Sequence, residues 1–137
     1  MNYWNKTITV LNRFENVDGT ISYYKTVLNN CFWKEVNTEY ISNNVKTLSN
    51  SHIIRIPYNS LYLPPMAWEE SEQKASKFTL KQGDIIIKGT TDFEFDELTA
   101  GHRLNDFLRE NQYNVCTIKS VNENIDLPNK HYFVRGE

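Results

Sequence analysis

The sequence predicts a mainly β protein: a small antiparallel barrel or sandwich with long loops and one helix in its C-terminal third. Three observations carry this. Short segments rich in β-branched and aromatic residues recur along the 137-residue chain, separated by Asn, Asp, Gly and Pro. Strands spaced so closely leave no room for the crossover helices that a parallel sheet requires. Only one stretch, near residues 98–108, places its apolar residues on a helical stripe.

The elements follow in order. KTITVLNRF puts Ile8, Val10 and Phe14 on one face of a first strand, and TISYYKTVL is the second, joined by ENVDGT with its Asp18-Gly19 turn step. Asn29-Asn30 reads as a further turn, because asparagine tolerates positive φ, and CFWKEV as a third strand. The polar, asparagine-rich stretch at about 37–51 is either a long exposed loop or a ribbon extending out of the core. HIIRIP is a strand that stops at Pro57.

A second extended loop is expected at about 58–77, where Pro64-Pro65 favours extended backbone and the Glu-rich tail forms a helical turn or two. In FTLKQGDIIIKG one glycine precedes three isoleucines, which is a turn into a strand buried on both faces rather than a phosphate loop. Leu98, Leu104, Phe107 and Leu108 mark the helix, which is either kinked at Gly101 or begins after it. YNVCTIKSVNE and HYFVRG close the chain as strands around a Pro128-Asn129 turn, for seven or so strands in a single domain spanning 1–137.

Composition narrows the function. Apolar residues make up 39% and aromatic residues 13%, so the core must lean on Phe, Tyr and Trp. A net charge of −2 and a pI near 5.9 argue against a broad duplex-binding surface, and no apolar stretch is long enough for a signal peptide or membrane span. Synthesis in the cytoplasm is expected, with Cys31 and Cys116 as buried thiols and no disulfide.

No catalytic, metal or cofactor pattern emerges, and a non-enzyme is expected. His52, His102 and His131 lie on separate elements with no metal-ligand spacing, and His52 and His131, beside β-branched and aromatic residues, read as hydrogen-bonded strand histidines. Asp92, Glu94 and Asp96 in DFEFDE share a face if extended, which would suit a cation or paired acids, but the stronger reading is a half-buried edge whose last acid, Asp96, caps the helix. What stands out is aromatic and proline-rich loop surface, a binding property.

NKTITVLNRF, YYKTVLNNCFW, IIRIP, YLPPMAW, FTLKQGDIIIKG, TAGHR and LPNKHYFVRGE together resemble the small head–tail connector, or head-closure (stopper, minor capsid), proteins of tailed phages and prophages of Gram-positive bacteria. The resemblance implies a barrel subunit that assembles as a ring in the virion, beneath the portal and adaptor proteins, closing the channel and docking the tail. Charge, hydropathy and the absent fingerprints give no cofactor, no membrane and no sequence-specific nucleic-acid contact. The resemblance adds a long loop entering the DNA channel, for which EYISNNVKTLSNS and YLPPMAWEESEQKASK are both candidates. The expected contact surface is Tyr62, Leu63, Pro64, Pro65 and Trp68, with an exposed Trp68 as anchor; in the opposing case Trp68 folds back and plugs one end of the barrel. A tail-terminator ring is one alternative, and a carbohydrate-binding module using Trp4, Trp33, Trp68 and the tyrosines is another.

Overall fold

A computed structural model describes residues 4–111, 114–126 and 128–137, with backbone alone for 38–40 and 47–49. Six antiparallel strands close into a barrel in the order β1-β2-β3-β6-β5-β4. They are β1 (Lys6–Glu15), β2 (Ile21–Ser42), β3 (Val45–Pro57), β4 (Ile85–Lys88), β5 (Val115–Asn124) and β6 (His131–Gly136), with helices α1 (Pro65–Glu70) and α2 (Leu104–Asn111). The expected barrel is thus present, with six strands rather than seven.

The count differs because the expected second and third strands are one. Asn29-Asn30 is a β-bulge, not a turn: Lys6 pairs with Cys31 and Ile8 with Leu28, so two β2 residues face Thr7. Asn30 takes the left-handed conformation (φ 60°), and the Thr7 hydroxyl donates to Asn29 Oδ1 at 3.0 Å. At this bulge β2 exchanges β1 for β3 as its partner. A second bulge, at Lys119, lies where β5 leaves β4 for β6. Two sheets meeting at bulged strands is how an orthogonal barrel turns its corners.

Alternation fills the interior. Ile8, Val10, Leu28, Cys31, Ile54, Ile56, Ile86, Cys116, Ile118, Tyr132 and Val134 point inward and are buried with Phe78 and Leu80. The triple-isoleucine strand is buried on both faces as expected: Ile86 joins the interior, whereas Ile85 and Ile87 face outward and are covered by Leu11, Phe107, Phe93 and Phe95. This outer layer uses part of the aromatic content, since rings at 4.7–5.2 Å centroid separations (Phe93, Phe95, Phe107) roof a sheet face that would otherwise meet water. The buried interior, by contrast, is mainly aliphatic, with Phe78 and Tyr132, and does not lean on aromatics as expected.

Helix α2 starts beyond Gly101, which has φ 87°, so Leu98 is not part of its stripe and is 78% exposed. Asp96 does not cap α2: its carboxylate accepts from Leu98 N and the Thr99 hydroxyl, closing a local turn. The cap comes from Glu97, whose Oε1 accepts both Leu104 N and the Tyr23 hydroxyl. Burial and this carboxylate together push the Tyr23 phenol up to about 12.

Candidate functional site

Three surfaces are candidates for a functional site: an arm, the groove at its base, and the segment carrying the two prolines. The stretch expected to be loop or ribbon is a ribbon. Beyond Glu35↔His52 the β2–β3 hairpin continues through seven more pairs, Val36↔Ser51 to Ser42↔Val45, after β3 has parted from β6 at His52↔Gly136. Seven pairs extend about 23 Å past the barrel. Asn43 and Asn44 form the tip with φ 52° and 63°, the double left-handed geometry of a two-residue hairpin turn. Near the tip Ile41 and Val45 are 78% and 61% exposed.

At the arm's base a groove of about 440 Å³ is lined by Lys6, Thr7, Trp33, Glu35 and Lys88 among others. Lys88 Nζ sits 2.6 Å from Glu35 Oε1 and 5.1 Å from the Trp33 ring centroid. The Trp33 indole donates to His52 Nδ1 at 3.0 Å, so His52 is a hydrogen-bonded strand histidine as expected. Burial holds its imidazole below the ordinary value, and the Lys88 contact holds the Glu35 carboxyl below its own. Sequence reasoning missed this constellation because Lys6, Glu35, His52 and Lys88 lie on four strands; the cross-strand partner of each was the only signal.

The proline segment is stitched down rather than free. Leu63 N donates to Phe78 O, and Phe78 N to Leu61 O, forming a bridge beside the core. Tyr62 is half-buried, its ring 4.3 Å from Tyr132 and its hydroxyl 2.8 Å from Glu123 Oε1, and burial pushes its phenol upward. Leu63 and Pro65 are half-buried, and Pro64, the one exposed member of the expected set, precedes α1 and accepts from Trp68 N.

Trp68 corrects the expectation of an exposed anchor. It is 0% exposed, edge-on to Phe14 and Tyr24 at 6.0 and 5.7 Å, with the Lys81 and Lys74 ammonium groups 5.3 and 5.9 Å from its ring. It is folded back against the β1–β2 hairpin, at the far end of β1 from the arm. The apolar side chains that this region does expose are Tyr58, Leu61 and Met66, at 57%, 42% and 80%.

The tryptophans do not share a platform. Trp33 lies by Lys88, which pairs with Ile8, and Trp68 lies by Phe14, six residues or about 20 Å along β1. Trp4 packs edge-on against the buried His131, whose Nδ1 and Nε2 contact Asn129 O and the Asn124 amide. His102 contacts Glu94 O, and Asp92, Glu94 and Asp96 are exposed while Phe93 and Phe95 turn inward, the expected half-buried edge. Among the described residues no group of three or more His, Cys, Asp or Glu is placed to hold a metal ion. Cys31 and Cys116 are free and buried, and burial pushes both thiols up to about 12.

The described residues form a closed six-stranded antiparallel barrel with a packed interior and a long projecting hairpin. The chain belongs to DUF6751, a family of unknown function whose profile matches residues 3–137. No curated protein and no solved structure matched it.

Proposed function

We propose that this protein is a ring-forming structural subunit of the phage head–tail interface, closing the portal channel and docking the tail. The arm is the observation that carries the proposal. A two-stranded ribbon standing alone is marginal in water, so twenty-odd ångströms of it projecting past the barrel serves a contact outside the monomer. In a ring, such arms converge on the axis.

The arm's composition suits a channel. Between Val36 and Ser51 the charged residues are Glu39 and Lys46, which cancel. A lining with few fixed cations forms few phosphate contacts, so DNA slides past it instead of sticking. Many copies of a modest contact around a closed ring add up to a firm assembly.

The docking face for the tail is then the exposed rim of Tyr58, Leu61, Pro64 and Met66, with Tyr62, Leu63 and Pro65 as its support and Trp68 buried behind it. Native mass spectrometry of the protein mixed with the portal and adaptor proteins of its phage tests this. Capture at ring stoichiometry is the expected result. Binding to tail-tube protein alone would move the assignment to a tail terminator, and binding to neither would overturn it. The dispersed tryptophans weigh against the carbohydrate alternative.

A further inference from the structure

The two outer faces of the barrel carry opposite charge. On the sheet formed by β2, β3, β6 and β5, alternation sends Ile54, Ile56, Tyr132 and Val134 inward and their neighbours outward. The register then aligns Phe32, Arg55 and Phe133 in one cross-strand row and Lys34, Ile53, Arg135 and Ser120 in the next. Arg55 lies over the rings of Phe32 and Phe133, at 5.8 and 5.1 Å, and Arg135 over Phe133 at 5.7 Å. Lys34, Lys119 and Arg135 are exposed. Beside the arm, Lys119, Ser120, Arg135, Ser51 and Ile53 line a groove of about 370 Å³ in which Glu137 is the one acid.

The opposite sheet is roofed by Phe93, Phe95 and α2, and there the exposed residues of the segment are Asp92, Glu94 and Asp96. Among the described residues no cation forms an ion pair with this row, although Lys25 and His102 lie beside it: Lys25 donates to Phe93 O at 2.9 Å, Arg103 Nε donates to Glu97 O, and Arg109 pairs with Asp106. Because the two sheets face away from each other, the acidic row cannot reach the basic face of its own chain.

We infer that the basic sheet face receives the Asp92–Asp96 row of a second copy of this chain, making a head-to-tail contact. A face that pairs with a different face of its neighbour repeats in one direction, and where the rotation closes it yields a ring. The complementary charges fix partner and register, and the half-buried Phe32, Ile53 and Phe133 supply apolar area under the charges. This rests on the ring reading above and names its subunit contact.

Charge exchange tests it. Glu94→Arg and Arg135→Glu should each weaken self-association, in sedimentation of the protein alone and in the captured ring, by about tenfold, and the double variant should restore it. Glu94→Cys mixed with Arg135→Cys should give an oxidised dimer that neither variant forms alone; a disulfide dimer from either single variant would indicate a self-complementary contact and overturn the inference. Ring capture by the portal or adaptor proteins that ignores both reversals would overturn this contact while leaving the proposed function standing. Charge-dependent rings that the portal proteins ignore would do the opposite. If Arg135→Glu instead abolishes retention of an oligonucleotide and leaves association unchanged, the basic face belongs to nucleic acid and the inference fails.

Discussion

Asn12 and Thr79 exchange two hydrogen bonds across the buried end of the barrel. The Asn12 amide donates to Thr79 O at 2.8 Å, and Thr79 N donates to Asn12 Oδ1 at 3.2 Å, so one side chain does what a neighbouring strand would do. The same amide donates to Asp84 Oδ2 at 2.9 Å, which ties the turn before β4 to β1. Asn12→Ala leaves buried backbone groups without partners and should cost about 2–4 kcal/mol. Chemical denaturation checks this; a loss below about 0.5 kcal/mol would show that water replaces the side chain.

Asp84 makes stability depend on pH. Burial raises its carboxyl above the ordinary 3.8, opposed by the bonds from Asn12 and Arg13 N and by Lys81 at 3.5 Å. A raised carboxyl favours the protonated fold, so this contribution is complete below pH 3.8 and is lost as pH rises through the folded value. Asp84→Asn should flatten that part of the stability profile while keeping the Asn12 contact.

His52 acts in the opposite direction. Its imidazole is held below 6.5, so its contribution is present above pH 6.5 and is lost as pH falls through the folded value. His52→Gln should remove this acid-side loss, as read from melting temperatures between pH 7 and 5. An unchanged slope would mean that His52 does not set the acid-side loss.

Trp68 separates packing from binding. Trp68→Ala should cost about 3–5 kcal/mol, whereas Trp68→Phe should cost far less, because the indole N–H has no hydrogen-bond partner among the described residues. Partner capture by the folded Phe variant should match wild type. Reduced capture at unchanged stability would return Trp68 to the interface.

Gly136 permits no side chain. A Cβ there would sit 2.7 Å from Cys116 Sγ and 2.9 Å from Thr117 O, and the carbonyl cannot swing away as a flexible side chain would. Gly136→Ala should destabilise by about 1–3 kcal/mol, with only partial rescue by Cys116→Ala. Full rescue would place the conflict on sulfur alone.

Replacing Val36–Ser51 by an Asn-Gly turn should leave the melting temperature of the barrel within about 3 °C, because the arm's described side chains bury little, and under the proposed function should abolish channel closure. A large loss of stability would show that the arm supports the barrel itself.

How much of this was legible depended on how local each signal was. Asp84 to Lys88 could be read directly, since three β-branched apolar residues in a row need cover on both sides, and so could the Asp18-Gly19 turn, where Gly19 has φ 88°. Asn29-Asn30 could not, because a left-handed asparagine serves a bulge as well as a turn and only the partner strand distinguishes them. Asn43-Asn44 carried the same signal with the opposite outcome. Trp68 sits in a six-residue helix, too short for periodicity to say which face is covered. The basic sheet face depends on register between Phe32, Arg55 and Phe133, residues about a hundred positions apart at the extremes, and no local pattern encodes it.

The bulge at Asn30 has a mechanical consequence. Since β2 is one unbroken strand from the β1 turn to the arm tip, a pull on Asn43 along the arm runs through covalent backbone into both sheets at once. The β1–β2 hydrogen bonds then share the load side by side in shear, instead of opening one after another as in a peeled hairpin. A subunit whose arm blocks an outbound filament would be gripped along its whole length, with the force spread into the wall of the barrel.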